Sequence, residues 1–239
     1  MKILGLDSSG LVAGAAVVED DVLVAEYTVN YKKTHSQTLL PMVDELRKMT
    51  ELDLSSLDAI AIASGPGSFT GLRIGAATAK GMGLALEKPL VEVPTLEGLA
   101  YNLWGTDNLI CPLMDARRNQ VYTGLYEFVR TAEGLSLKTV AVQQTADIGE
   151  ILEQINLLGR QVIFLGDGVR VYEENIWGRT RVPWIFAPPS CNRQRASSIA
   201  ALGALYYAQG KTVPAAAHRP EYLRKSQAER EAEAKKRAE

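Results

Sequence analysis

The chain has 239 residues, 46% of them hydrophobic, and its 26 Lys and Arg side chains nearly balance 28 Asp and Glu. A chain of this size can bury a sizeable core in one large domain or two small ones. The net charge of −2 excludes a strong overall attraction to polyanions, so any RNA contact needs a local basic patch or a partner that supplies one.

The first half of the chain predicts three strands, a helix, a strand, a helix and a further strand. The strands cover residues 2–7, 11–18, 22–29, 57–63 and 90–93, and the helices cover about 36–49 and 71–86. Pro41 falls near the first turn of the first helix, where its missing N–H does least harm.

The second half repeats this order. It predicts strands at 109–114, 120–128, 135–142 and 162–165, with helices at about 148–155 and 197–209. In both halves an apolar run ends in Asp, at Asp7 and Asp115, and a buried strand runs into a Gly-x-Gly turn, at 65–67 and 166–168. Such a duplication predicts two similar α/β lobes that face each other.

The predicted boundary lies near residues 94–106. We place the N-terminal lobe at 1–100, joined by the C-terminal helix at about 197–225. The C-terminal lobe then covers 101–196, and a charged tail covers 226–239.

The first apolar run, Ile3–Leu6, is too short for a signal peptide, and no later run is long enough to span a bilayer. Cys111 and Cys191 have neither CxxC nor zinc-site spacing. A structural disulfide between them is one alternative, and we favour the other, two buried thiols in a reducing compartment. The sequence therefore predicts a cytoplasmic protein without a membrane partner.

The strongest local motif is SGPGSFTGLRIG at residues 64–75, between a buried strand and a helix. The N–H groups of such a turn and the positive end of the helix can bind phosphate. An ordinary turn with Ser68 or Thr70 as the helix cap explains the motif equally well. The motif has neither the Gly-Lys-Ser/Thr of a P-loop nor the G-x-S-x-G of a nucleophile elbow.

Asp7-Ser8-Ser9 ends the first strand and opens a turn. In a two-lobed nucleotide fold this Asp can hold a metal-bound water, and the hydroxyls can contact phosphate. A turn that bonds to its own backbone is the alternative, and we favour it for an isolated Asp-Ser-Ser. The candidate nucleotide or phosphate residues are Asp7, Ser8, Ser9, Gly65, Gly67, Ser68 and Thr70.

The second helix carries small residues at four-residue spacing, at Gly71, Gly75, Ala79 and Gly83. Because Gly costs about 0.5–1 kcal/mol relative to Ala inside a helix, this stripe indicates that another backbone comes close. Either the protein's own sheet fills the space or a second subunit docks there. We favour a subunit interface that also includes Leu39 and Val43, and expect Gly75→Leu to break association while sparing the fold.

The remaining polar candidates are weaker. His35 and His218 are far apart and have no second His at i+4, which argues against a helical zinc pair and favours solvated or capping roles. Arg117 and Arg118 follow the strand that ends at Asp115. They either contact phosphate or an acidic partner, or form an exposed polar turn, and we favour the turn.

Together these segments resemble the TsaB (YeaZ) family, the smaller actin-like subunit of bacterial threonylcarbamoyladenosine synthesis. The resemblance covers nearly the whole chain except the tail, and its most specific part is the Gly-rich motif. The other segments are 3–9, 35–37, 114–122, 166–168 and 220–224. The resemblance implies an α/β fold of the actin/Hsp70/sugar-kinase (ASKHA) type, with two duplicated RNase H-like lobes, the second one reduced.

The resemblance also implies a function. The chain would be a non-catalytic subunit that dimerises with and activates a larger paralogue, the TsaD-type transferase. That enzyme places threonylcarbamoyl on N6 of adenosine 37 in tRNAs that read codons starting with A. A TsaE-type ATPase completes the complex, tRNA is contacted only through the complex, and the chain alone forms a homodimer through its first two helices. No cofactor is expected in this chain, whereas ATP or ADP fits the subunit interface of the complex.

One departure from the paralogue bears on catalysis. The transferase carries a metal-binding His-x-x-x-His after its fifth strand, where this chain has Thr95 and Leu99. Leucine cannot ligate a metal and a lone threonine hydroxyl is a poor ligand, so we expect no metal site and no transferase catalysis. Two alternatives remain: an ATP-dependent phosphotransferase of the sugar-kinase class, without an obvious catalytic Asp, and a peptidase acting on the partner, without a zinc pair or a nucleophile–base pair.

Overall fold

A computed structural model describes residues 1–31, 33–132 and 134–224 of the chain. Within these ranges the backbone forms ten β-strands in two sheets and seven α-helices. One sheet comes from the first half of the chain and the other from the second half, so each lobe has a sheet of its own.

The first sheet has the strand order β3-β2-β1-β4-β5. Its strands are β1 Lys2–Asp7, β2 Ala13–Glu19, β3 Val22–Val29, β4 Ala59–Gly65 and β5 Leu90–Pro94. Strand β1 is antiparallel to β2 and parallel to β4, so it lies at the centre of the sheet. Every residue of β4 is buried, as its continuously apolar sequence predicts for a strand covered on both faces.

The two faces of the first sheet are covered by helices from opposite ends of the chain. Helices α1 His35–Met49 and α2 Phe69–Leu86 pack on one face, and α7 Ala196–Ala208 packs on the other. Close packing of α7 needs glycine, because a Cβ atom at Gly5 would come within 2.5 Å of the Ala196 carbonyl oxygen.

The second sheet repeats the pattern in the order β10-β9-β6-β7-β8. Its strands are β6 Leu109–Asp115, β7 Gln120–Thr131, β8 Gly134–Asp147, β9 Val162–Leu165 and β10 Trp184–Phe186. Strand β6 is antiparallel to β7 and parallel to β9, as β1 is to β2 and β4. The helices of this half are α4 Ile148–Leu158, α5 Gly168–Val171 and α6 Glu173–Arg179.

This matching topology confirms the predicted duplication and the actin-like α/β fold. The second lobe is reduced in its helices and not in its strand count: α5 and α6 are short and occupy the place of the long α2. Helix α3 Thr95–Tyr101 connects the two sheets and packs into the core of the second lobe. It crosses the proposed boundary at residue 100, and that division stays a prediction.

Helix α7 Ala196–Ala208 confirms the helix predicted at about 197–209, whereas the extension of this helix to residue 225 in the lobe assignment is wrong. Helix α7 ends at Ala208, Gly210 adopts a φ of +72°, and Pro214 follows four residues later. Both residues stop a helix, Gly by taking the left-handed conformation and Pro by lacking an N–H. The chain then runs back along the first lobe, where Val213 pairs with Leu90. The charged tail at 226–239 lies outside the described residues.

Cys111 and Cys191 are both free, which confirms the expectation of thiols. Burial raises the pKa of the Cys111 thiol to about 12. Cys191 is only partly buried. Across the described ranges, no helix has the length and apolar character required for a membrane span.

Candidate functional site

The turns after the central strands of both sheets meet in a cleft of about 580 Å³ between the lobes. The ends of β1 and β4 approach it from the first lobe, and the ends of β6 and β9 approach from the second. Ligands of open α/β sheets bind at the carboxyl ends of strands, so this cleft is the candidate site. Its lining includes Ser9, Gly10, Gly67, Ser68, Phe69, Thr70, Asp115, Arg117, Asp167, Tyr222 and Arg224.

Asp7 and Ser8 turn inward beside the cleft. The Asp7 carboxylate is 2% exposed and accepts hydrogen bonds from the Ser9 N–H at 2.8 Å and the Ser9 hydroxyl at 2.6 Å. The Ser8 hydroxyl donates to the Gly71 carbonyl oxygen at 2.9 Å. Burial raises the pKa of Asp7 to about 6, although the bonds from Ser9 oppose the shift. Asp7 therefore forms the self-bonded turn that the sequence favoured, whereas the Ser8 hydroxyl is engaged by the first turn of α2.

The Gly-rich motif forms a capped turn. The Ser68 hydroxyl accepts a hydrogen bond from the Gly71 N–H at 3.3 Å, and the Ser68 N–H donates to the Ser9 carbonyl oxygen at 2.7 Å. A Cβ atom at Gly67 would come well inside 3.0 Å of the same carbonyl oxygen, so glycine lets the two turns touch. Ser9, Gly67, Ser68 and Thr70 line the cleft, and phosphate binding by them stays a prediction.

A C-terminal strap, residues 218–224, crosses the cleft between the lobes. The Glu221 N–H donates to the Ser64 carbonyl oxygen at 2.7 Å. Gly65 has a φ of +123°, and a Cβ atom there would come well inside 3.0 Å of the Glu221 carbonyl oxygen. Gly65 therefore accommodates the strap, which corrects its predicted role as a phosphate contact. At the other end Arg224 donates to the Ala116 carbonyl oxygen of the second lobe.

The two histidines have structural roles. His218 begins the strap and is 1% exposed, with Nδ1 2.6 Å from a carboxylate oxygen of Glu92 on β5. Of the solvated or capping role that the sequence favoured, the solvated part is wrong for His218, which caps the short 3-10 helix Ala215–Ala217. His35 begins α1, and its Nε2 donates to the Gly10 carbonyl oxygen at 2.9 Å. Sequence reasoning missed the strap because its contacts with the two lobes join residues at least 78 positions apart. Its only signal was the family-like segment at 220–224.

The small-residue stripe of α2 faces inward. A Cβ atom at Gly71 would come well inside 3.0 Å of the Ser8 carbonyl oxygen, and one at Gly75 would lie 2.5 Å from the Ser8 hydroxyl. At Gly83 it would lie 2.8 Å from Ala215. The chain's own turn at Ser8 and the segment at Ala215 therefore make the close approach, and not a second subunit.

The remaining members of the predicted interface are buried as well. Ala79, Leu39 and Val43 are 0%, 1% and 2% exposed within the core of the first lobe. The predicted six-residue interface is thus wrong in its residues. The expected effect of Gly75→Leu is corrected too, because a larger side chain there collides with the body of the protein.

Helix α2 has a second small-residue stripe, which faces outward. Ala77, Gly81 and Ala85 follow one another at the same four-residue spacing and are exposed. No atom lies within 4 Å of a Cβ atom built at Gly81, and Leu84 beside it is 59% exposed. Sequence spacing alone signals both stripes and does not say which one meets the sheet.

The positions of the paralogue's metal-binding histidines lie in the core. Thr95 is fully buried, and its hydroxyl accepts a hydrogen bond from the Gly65 N–H at 3.1 Å. Leu99 is 1% exposed and packs in the cluster between α3 and the second sheet. Among the residues that the structure describes, no three His, Cys, Asp or Glu side chains are grouped as metal ligands.

The second lobe contributes two carboxylates and an exposed turn to the cleft. Asp115 accepts hydrogen bonds from the Arg117 N–H at 2.7 Å and from the Tyr172 hydroxyl at 3.3 Å. Burial raises the pKa of Asp167. Arg117 and Arg118 have φ values of 61° and 58° and are exposed, so they form the polar turn that the sequence favoured.

Known proteins of similar sequence and fold identify the family of this chain. The family model described as TsaD, tRNA N6-adenosine threonylcarbamoyltransferase, matches residues 23–232. The Bacillus subtilis (strain 168) tRNA threonylcarbamoyladenosine biosynthesis protein TsaB is 34% identical over 229 residues, which cover 96% of each chain. The Escherichia coli (strain K12) TsaB is 30% identical over 158 residues, 65% of this chain and 68% of that protein.

Among solved structures, YeaZ from Pseudomonas aeruginosa superposes with a TM-score of 0.73 at 25% identity, covering 93% of this chain and 99% of that one. A second Pseudomonas aeruginosa structure, described as similar to peptidase YEAZ, has a TM-score of 0.77 at the same identity and coverage. The sequence and the fold therefore agree that this chain belongs to the TsaB (YeaZ) family of tRNA threonylcarbamoyladenosine biosynthesis proteins.

Proposed function

We propose that the chain is the non-catalytic subunit that pairs with a TsaD-type transferase and activates it. A role in tRNA threonylcarbamoyladenosine biosynthesis follows from its family. In this proposal the transferase places threonylcarbamoyl on N6 of adenosine 37 in tRNAs that read codons starting with A. The reaction takes place in the cytoplasm, and a TsaE-type ATPase is a further partner.

One observation carries the non-catalytic assignment: Thr95 and Leu99 are packed into the core. The Thr95 hydroxyl already accepts the Gly65 N–H, and Leu99 offers no donor atom. A metal ion held as the paralogue's histidines hold it would need donor atoms directed into an open site, and these two positions direct none.

The partner surface that fits the structure best is the outward face of α1 and α2. The two helices lie side by side in the core of the first lobe. On the outside, α1 presents Leu40, 55% exposed, and α2 presents Ala77, Gly81 and Leu84. The open space above Gly81 admits the backbone of a second helix, and apolar neighbours supply area to bury. A homodimer of the chain alone would use the same face.

We place the nucleotide site at the subunit interface of the complex and not within this chain alone. The hydroxyls of Ser8 and Ser9 are engaged with Gly71 and Asp7, and the strap lies over Gly65. Ser8 and Gly65 are therefore occupied by contacts within the chain, and Ser9, Gly67, Ser68 and Thr70 remain as the candidate contacts at the cleft. ATP or ADP would sit where a partner completes the site. The phosphotransferase alternative loses Gly65 as a phosphate contact, whereas Gly67 still lines the cleft.

A reconstituted modification assay tests the proposal. The purified chain is mixed with the TsaD-type paralogue and the TsaE-type ATPase from the same organism, the low-molecular-weight synthase, tRNA, ATP, bicarbonate and labelled threonine. We expect incorporation of label into tRNA to depend on the chain. Equal incorporation without it would contradict the proposal.

The interface is tested with a matched pair of helical glycines. Gly81→Leu fills the open space on α2, whereas Gly178→Leu adds the same side chain to α6, where the space around the glycine is equally open. We expect Gly81→Leu to weaken the heterodimer at least tenfold by calorimetry and Gly178→Leu to leave it unchanged. Equal affinities would remove Gly81 from the interface.

A further inference from the structure

A line of arginine and aromatic side chains runs along the mouth of the cleft and joins the two lobes. The Arg73 guanidinium lies 4.0 Å from the centre of the Phe69 ring, and its Nε lies 3.4 Å from the Tyr222 hydroxyl. The Tyr222 ring is 4.9 Å from that of Phe69. Arg224 then donates to the Arg117 carbonyl oxygen at 3.4 Å. We call these five residues the arginine–aromatic ridge.

The ridge concentrates positive charge on a chain whose net charge is −2. Among the described residues, no carboxylate lies within ion-pair distance of the guanidinium groups of Arg73, Arg117 or Arg224, whereas Arg160 and Arg195 each pair with a glutamate. The acidic residue of the strap, Glu221, accepts a hydrogen bond from the Gln143 side-chain amide at 2.5 Å. No carboxylate of the described residues thus neutralises these arginines, and Arg224 uses its guanidinium to hold the Ala116 and Arg117 carbonyl oxygens while Arg73 and Arg117 can meet a negatively charged ligand.

The neighbouring turn extends this charge outward. Arg118 is exposed beside Arg117, and both have the left-handed backbone that residues other than Gly, Asn and Asp seldom adopt. The Arg117 N–H is bonded to Asp115 and the Arg224 guanidinium holds the Arg117 carbonyl oxygen, so the turn is fixed from both sides. The two guanidinium groups are therefore presented from a defined backbone.

The chemistry of the ridge matches single-stranded RNA. Guanidinium groups bind phosphodiesters through paired hydrogen bonds, and aromatic faces stack with unpaired bases. Tyr222 is 39% exposed and contacts Arg73, so its ring can offer a stacking surface next to a phosphate contact. Sequence-specific proteins recognise loops of RNA with this combination.

We propose that the arginine–aromatic ridge, with Arg118, is a tRNA contact of this chain, at which guanidinium groups bind the phosphodiester backbone and Tyr222 stacks with an unpaired base. This inference rests on the proposed function and deepens it, because it names the surface through which the non-catalytic subunit touches the substrate of the complex.

The test measures tRNA binding by the complex of the chain with its TsaD-type partner. Anisotropy of a fluorescent, unmodified tRNA is followed over a series of KCl concentrations for wild type and for R117Q/R118Q. The matched control is R130Q, an exposed arginine on β7 whose Cα is roughly 30 Å along the strand from the cleft. R117K/R118K retains the charge without the planar fork.

We expect R117Q/R118Q to weaken tRNA binding roughly fivefold to twentyfold at about 100 mM KCl. The slope of log K against log salt should fall by roughly 1.4–1.8, the value for two lost phosphate contacts. R130Q should match wild type, and R117K/R118K should keep the wild-type slope.

Two results would overturn the proposal. One is a wild-type affinity and salt slope for R117Q/R118Q in the complex. The other is a weakened heterodimer with unchanged tRNA affinity, which would assign the ridge to an acidic surface of the partner protein. Failure of the proposed function reads differently, since it shows as a wild-type chain that forms no heterodimer or is dispensable for modification.

Discussion

The inward stripe of α2 is tested by comparing two glycines of the same helix. In Gly71→Ala the new Cβ atom meets the Ser8 carbonyl oxygen well inside 3.0 Å, and backbone cannot rotate away as a flexible side chain would. Overpacking of this kind costs about 1–3 kcal/mol, against a gain of about 0.5–1 kcal/mol from replacing glycine in a helix. The net expectation is a loss of roughly 1–2 kcal/mol in the free energy of unfolding.

Gly81→Ala makes the same chemical change on the opposite face, where no atom lies within 4 Å. It should retain the stabilisation that comes from replacing a helical glycine and so raise the free energy of unfolding by roughly 0.5–1 kcal/mol. Urea unfolding followed by far-UV circular dichroism measures both variants, at several protein concentrations because self-association would raise apparent stability. If Gly71→Ala is as stable as Gly81→Ala, the assignment of the two faces is refuted.

Three further changes probe the cleft. Because the pKa of Asp7 rises from 3.8 unfolded to about 6 folded, the folded state binds more protons in that window, and stability falls as the pH rises. Relative to Asp7→Asn, wild type should therefore lose about 1.4 kcal/mol of unfolding free energy between about pH 5 and 7.5. If the unfolding free energies of the two proteins change in parallel with pH, the raised pKa of Asp7 is contradicted. Gly65→Ala should displace the strap and speed hydrogen exchange at the Glu221 amide, and unchanged protection would count against the contact. Thr95→Val should cost about 1–3 kcal/mol by leaving the Gly65 N–H without its acceptor, whereas Thr95→Ser should be much milder.

The sequence predicts the sheets well because their strands are long, apolar and bounded by turn residues. The repeated order of elements then identifies the duplication, and hence the fold class, without any single decisive residue. The missed elements are short: α5 has four residues, β10 has three, and α3 and α6 have seven each. A segment of one or two turns shows too little periodicity to separate it from a loop.

The site was harder to predict, because spacing fixes which residues share a helix face and not what that face meets. Gly75 and Gly81 belong to equivalent stripes, yet one contacts Ser8 and the other faces open space. The strap was invisible for a different reason. Arg73 and Tyr222 are 149 positions apart, and no local pattern encodes that contact.

The docking of α7 on the first sheet bears on how the protein is made. The face formed by Ile3, Ala61 and Val91 is covered largely by α7, around Ile199 and Leu202, and these residues leave the ribosome long after the strands themselves. At ordinary elongation rates one apolar face of the nascent sheet stays exposed to solvent for on the order of ten seconds. We therefore expect a fragment that stops before α7 to aggregate or to need a chaperone, although it contains every strand of its first sheet.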